Sequence, residues 1–140
     1  LNMNDKSNKI KGNCLCGSIL FEIVNDFAKL YFCNCNQCRK ITGSAFASNL
    51  FIDVESFDWL AGSDGIAIYK VPNRDIAKSF CRKCGSGVPW PSSDGAMMIV
   101  PAGCLNGEPE VKGKFRIFTA EEPRWSTDFE LARAHQEFLD

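Results

Sequence analysis

Histidine is almost missing: His135 is the single one in 140 residues. Imidazole is the side chain whose charge changes near neutral pH and a common metal ligand, so such chemistry is confined to the end of the chain. No apolar run approaches the ~18 residues of a membrane span. A surplus of positive charge is also lacking. Sixteen Lys and Arg face 17 Asp and Glu, for a net charge of −1 and a pI near 5.9. That balance argues against a protein built to grip nucleic acid. The opening LNMNDKSNKI has no apolar core of a signal peptide. It reads as a disordered N-terminus over residues 1–9, with Met3 as the natural start, and the expected location is cytoplasmic. No Pro/Gly/Ser-rich linker divides the rest, so residues 10–140 read as one domain.

Hydrophobic residues make up 45% of the chain, including 11 Phe and 3 Trp, enough for a core. Most segments carry the strand signature of short runs rich in β-branched and aromatic residues: 18–24, 46–52, 65–71, 96–100 and 114–120. Ser63-Asp64-Gly65 and Ser93-Asp94-Gly95 mark tight turns ahead of two of these runs. Helix signals gather at the end, where Thr127 and Glu130 form a capping box ahead of Phe129, Leu131, Phe138 and Leu139. The fold class expected is all-β, mainly antiparallel, with a short C-terminal helix.

Cysteine is the residue in excess. Eight cysteines are about 6% of the chain, below the ~8–10% of disulfide-built mini-proteins. In a reducing compartment such clusters point to metal before disulfides. Cys14-Leu15-Cys16 is a CxC, Cys33 to Cys38 fuses CxC to CxxC, and Cys81-Arg82-Lys83-Cys84 is a CxxC followed by Gly85. Closely spaced thiols of this kind aim sulfurs at one point, and zinc is the expected ion. Two partitions fit the spacing. Cys14, Cys16, Cys81 and Cys84 can close one site, leaving Cys33, Cys35 and Cys38 as a three-ligand site. Alternatively Cys35 and Cys38 pair with Cys81 and Cys84 as a ribbon, which scatters the others. The first uses every clustered cysteine, and a three-ligand zinc keeps the open position of a catalytic site.

The ordered set GNCLCGSILFEI, CNCNQCRKITGS, FCRKCGSGVPW, PAGCLNG and FRIF…PRW resembles the glutathione-dependent formaldehyde-activating enzyme family, whose domain the centromere protein V family shares. The resemblance runs from about Lys11 to about Trp125. It implies an Mss4-like β-tent and the first partition: a structural zinc on Cys14, Cys16, Cys81 and Cys84, and a catalytic zinc on Cys33, Cys35 and Cys38. It also implies a carbon–sulfur lyase that joins glutathione, or another small thiol, to an aldehyde such as formaldehyde, giving S-hydroxymethylglutathione. A membrane or nucleic-acid partner is not expected.

Arg39 and Lys40 follow the triplet directly. They can offset the net negative charge of three thiolates around Zn²⁺ and attract glutathione's carboxylates; the plain alternative is solvated surface charge. Gly43-Ser44 reads either as a turn offering amides to a substrate, with Ser44 a binding residue, or as the turn before a strand. Trp90 and Trp125, each beside a proline, are candidates for a pocket wall or for packing. Cys104 reads as a small buried thiol. Two departures stand out: Asn34 replaces a histidine common in the family's triplet, and Arg116 replaces another before Ile117. The competing function is a zinc-stabilised β module that binds a protein partner without catalysis, a use the same fold supports.

Overall fold

The computed structural model describes residues 8–139. Its strands in chain order are β1 (Lys9–Asn13), β2 (Leu20–Val24), β3 (Phe27–Cys33), β4 (Ala47–Asp53), β5 (Phe57–Ala61), β6 (Ile66–Lys70), β7 (Ala77–Cys81), β8 (Trp90–Pro91), β9 (Met97–Pro101) and β10 (Val111–Ile117), with one α-helix, α1 (Asn36–Thr42), between β3 and β4. They form a three-stranded sheet, β1-β2-β5, a five-stranded sheet, β10-β3-β4-β9-β8, and the two-stranded ribbon β6-β7. The family of small antiparallel sheets expected from the sequence is what forms. No helix among the described residues is long and apolar enough to cross a membrane.

Period-two alternation explains the packing. In β2, Phe21 and Ile23 are fully buried while their neighbours are half-exposed. On the facing side of the five-stranded sheet, Leu30, Leu50 and Val100 lie in one cross-strand row. These rows meet in one cluster with Ile10, Phe27, Ile52, Phe57 and Met98. Phe21 stacks on Phe57 at 5.4 Å between ring centroids, and Trp59 meets both rings edge-on at 6.0 and 4.8 Å. Each such aromatic contributes about 1.5–3 kcal/mol by burial. Gly12 is required in β1 because Phe21 fills the space beside it: a Cβ there would lie 2.3 Å from the ring.

One pairing departs from the antiparallel pattern. β10 runs parallel to β3. The connection after β9 crosses beside β1, where the Asn106 amide donates to the Lys11 carbonyl, and the Glu110 carbonyl accepts from the Phe27 amide to start the parallel ladder. The two Asp-Gly sites differ. Asp94 sits in the turn joining β8 to β9, its carboxylate accepting from the Ser92 hydroxyl and the Ala96 amide. Asp64 lies in a single 3-10 turn between strands of different sheets.

Two expectations are corrected. Lys9 belongs to β1, paired with Val24, and so is not part of a disordered N-terminus; residues 1–7 of that expectation lie outside the described residues. The C-terminal helix is absent from the described residues. Single 3-10 turns occupy Arg124–Ser126 and Phe129–Leu131, and the Thr127 hydroxyl donates back to the Arg124 carbonyl rather than capping a helix. The cause is lack of tertiary support. Phe129, Leu131 and Phe138 are 65%, 82% and 90% exposed, and a helix this short is marginal without a packed face.

Candidate functional site

Two thiol clusters form, and they follow the first partition. The Sγ atoms of Cys14, Cys16, Cys81 and Cys84 lie within 4.8 Å of one another, as do those of Cys33, Cys35 and Cys38. The four-thiol cluster sits where two loops meet, after β1 and after β7. Gly17 (φ 80°) and Gly85 (φ 77°) take left-handed conformations, which let their amides turn back to the Cys14 and Cys81 carbonyls at 3.0 and 2.8 Å. Two serines lock the loops together. The Ser86 hydroxyl accepts from the Leu15 amide at 2.8 Å and lies 3.3 Å from Cys84 Sγ. The Ser18 hydroxyl lies 3.1, 3.6 and 3.7 Å from the sulfurs of Cys16, Cys81 and Cys14.

These surroundings favour the thiolate at Cys84 and Cys14, while at Cys16 the Ser18 hydroxyl is outweighed by the neighbouring thiols, which push that group up. The Ser86 hydroxyl and amide bring the Cys84 thiol down to about 5. Burial pushes Cys14 up, but the Ile19 amide and Ser18 hydroxyl outweigh it and hold the group at about 7. Four sulfurs ~2.3 Å from a tetrahedral zinc stand ~3.8 Å apart. The observed Cys14–Cys16 and Cys16–Cys81 separations are 3.6 and 3.9 Å, so the donor set fits a tetrahedral thiolate metal such as zinc.

The three-thiol cluster is built by the β3-to-α1 junction. Cys33 ends β3, and Cys35 caps α1, its sulfur accepting from the Cys38 amide at 3.3 Å. That amide holds Cys35 below the usual thiol range against the opposing effect of burial. Burial first, and the neighbouring sulfurs next, push Cys38 up. Three thiolates this close would repel one another unless a cation shares the site, which again fits a metal.

Asn34, between the first two thiols, is only 2% exposed. Its amide donates to the Phe32 and Ile117 carbonyls at 3.3 and 3.1 Å. Position 34 therefore ties β3 to β10. Arg116 is exposed, and one of its guanidinium nitrogens donates to both Glu122 carboxylate oxygens at 2.7 and 2.8 Å.

The second face of the five-stranded sheet floors a cavity of about 740 Å³. Register builds it from three rows: Ile117-Cys33-Ala47, Tyr31-Asn49-Pro101 and Phe51-Ile99-Trp90. The first row brings Cys33 into the wall, and Cys38 joins it from α1. The β6-β7 ribbon covers the other side with Ile68, Lys70, Arg74, Asp75, Ile76 and Lys78.

Arg39, Lys40 and Ser44 are not among the lining residues. Arg39 Nε donates to the Asn34 carbonyl at 3.1 Å, and Lys40 and Ser44 are exposed. Gly43 is the left-handed C-cap of α1 (φ 64°) and opens the turn that leads into β4. Trp90 walls the cavity, whereas Trp125 is 69% exposed. Cys104 stands apart from both clusters, its thiol donating to the Pro101 carbonyl at 2.9 Å; burial pushes it up to about 12. Sequence reasoning missed Ser18 and Ser86, although the tripeptide Cys-Gly-Ser occurs at both 16–18 and 84–86. It also missed the ribbon cations.

The family model described as glutathione-dependent formaldehyde-activating enzyme matches residues 9–121, which include every clustered thiol. A crystal structure of a Rhodobacter sphaeroides protein is similar, with a TM-score of 0.56 and 25% identity over 75% of this chain and 99% of that one. No curated protein matches the chain.

Proposed function

The chain belongs to the glutathione-dependent formaldehyde-activating enzyme family, and from that premise we propose that it is a zinc-dependent carbon–sulfur lyase-type enzyme. It reversibly adds a thiol, glutathione foremost, to a small aldehyde such as formaldehyde. The observation that carries this reading is that Cys33 and Cys38 lie in the wall of a large cavity. A purely structural metal would have no use for that opening. Cys14, Cys16, Cys81 and Cys84 would hold a structural zinc, and Cys33, Cys35 and Cys38 a reactive one. When bound at the three thiols, zinc supplies a Lewis acid that favours a thiolate or polarises a carbonyl oxygen.

The net reaction forms a sulfur–carbon bond at the aldehyde carbon, turns the carbonyl into a hydroxyl, and moves the thiol proton to that oxygen. Nothing is oxidised or reduced. The protein's part is position and surroundings. β3 and α1 fix Cys33 and Cys38 in the cavity wall with Cys35 beside them, and Arg39 braces the loop between Cys33 and Cys35 through the Asn34 carbonyl. The apolar floor of Tyr31, Phe51, Ile99 and Trp90 limits water beside the reacting carbonyl and orients the partners. In this reading the cations nearest the substrate are those of the ribbon, in place of Arg39 and Lys40.

Cobalt(II) substitution tests the proposal. Glutathione should perturb the visible spectrum of cobalt-loaded wild type and leave that of Cys38→Ser unchanged. A wild-type spectrum indifferent to glutathione and to other thiols would sink it. The exposed Trp125, Phe129, Leu131 and Phe138 support the alternative of a zinc-stabilised module that binds a protein partner, which such a result would favour.

A further inference from the structure

The ribbon over the cavity presents an unbalanced set of charges. Lys70, Arg74 and Lys78 line it, against the single carboxylate of Asp75. Among the described residues none of the three cations has a carboxylate within ion-pair distance; the ion pairs present are Lys9–Glu22, Lys112–Asp26 and Arg116–Glu122. Lys70 and Arg74 are exposed and meet water freely, but Lys78 is half-buried. Its ammonium lies against the Gly87 backbone, where an added Cβ would stand 2.6 Å from Nζ. Burial draws Lys78 below the usual lysine range. Cys104 is no counter-ion, since burial keeps it a thiol. A partly desolvated cation without a partner is unfavourable, and a bound anion relieves it.

We propose that the β6-β7 ribbon reads the carboxylates of the thiol substrate: Lys78 and Arg74 each hold a carboxylate, Lys70 supports them, and Asp75 receives an ammonium. The ligand class is a small peptide thiol bearing two carboxylates and one amine. The inference rests on the thiol–aldehyde reading, since that reading places the sulfur at the Cys33–Cys38 end of the same cavity. It adds that the opposite wall selects the thiol by charge. A neutral or cationic thiol such as cysteamine would meet Lys78 with nothing to offer it.

The test separates the ribbon from the metal by using S-methylglutathione, whose sulfur is blocked, titrated calorimetrically into the metal-loaded protein. Wild type should bind it, and raised salt should weaken that binding. The dimethyl ester should bind at least about tenfold more weakly, the scale of losing charge-assisted hydrogen bonds. Lys78→Met and the exposed Arg74→Met should each lose about tenfold on the same scale, while Lys78→Arg stays near wild type. Gly87→Ala keeps every charge but displaces the Lys78 ammonium, so it should weaken binding without altering the salt dependence. Equal binding of the acid and its ester, or no binding by wild type, overturns the proposal. So does wild-type affinity in both Met variants. Catalysed exchange of the neutral thiol 2-mercaptoethanol with formaldehyde, measured alongside, tells the two readings apart: it persists if the ribbon inference alone is wrong and vanishes if the thiol–aldehyde reading is wrong.

Discussion

Removing one thiol from each cluster should damage the fold unequally. The four-thiol cluster joins segments 65 residues apart, from Cys16 to Cys81. The three-thiol cluster spans only Cys33 to Cys38. Closing the longer loop costs the unfolded chain more entropy, and a metal that cross-links it returns that difference as stability. The logarithmic dependence on loop length puts the gap at about 2.3 kcal/mol. Cys84→Ser should therefore melt below Cys38→Ser by roughly 8 °C for a chain of this size. Burial reinforces the ordering, since Cys14 and Cys81 are buried with Ile19 and Val88 in a small core of their own. Thermal denaturation of the zinc-loaded variants, with metal content measured in parallel, gives the comparison. If both variants lose one zinc and the same stability, or if Cys38→Ser is the less stable, the assignment of a structural and a reactive metal is wrong.

Other perturbations follow from single contacts. Gly62 holds φ 75°, and a Cβ there would lie 1.9 Å from the Ser18 carbonyl oxygen. Gly62→Ala should cost about 3 kcal/mol from left-handed strain plus overlap, read by urea denaturation, and should loosen the four-thiol metal through Ser18. Asn34→Ala removes two buried amide hydrogen bonds and should lose about 1–3 kcal/mol of stability. Cys104 keeps its proton in the folded state up to about 12, against 9.0 unperturbed. The unfolded chain thus sheds that proton first, and stability falls as pH rises from about 9 towards 12. By pH 10 the loss attributable to this thiol is at most about 1.4 kcal/mol. Cys104→Ser should remove that slope while retaining both metals and any turnover.

Much of this arrangement is legible from residue types, and the limits of that legibility have physical causes. The aromatic runs around 20 and 50 announce strands because one face is buried; the alternation in 114–120 marks β10 up to Ile117, although none of that strand is buried. β1 and β7 escape notice because KIKGN and AKSFC carry too few large apolar residues to show a period; long-range pairing makes them strands. α1 escapes because its seven residues bury nothing, and it is held by the Cys35 cap and the Gly43 turn. Spacing leaves two partitions of the thiols open, and only the approach of the β1 and β7 loops brings Cys14 and Cys16 to Cys81 and Cys84. The capping box at Thr127 is a correct local signal that fails without a packed face. The cavity is the least legible feature. Its floor is a product of register across β10, β3, β4, β9 and β8, so Tyr31 and Cys33 come to share a wall with Trp90 only once the three pairings from β3 to β8 are set.

The central claim is that the three-thiol cluster and its cavity add thiols to aldehydes. Glutathione and formaldehyde combine reversibly without a catalyst, so the protein can change only the rate. NMR exchange spectroscopy on an equilibrated mixture reads that rate directly. Zinc-loaded wild type should raise the exchange between free glutathione and its hydroxymethyl adduct, and Cys35→Ser should return it to background while Cys104→Ser stays at the wild-type rate. An exchange rate in the presence of wild type no different from the uncatalysed one, for formaldehyde and for larger aldehydes alike, would contradict the account.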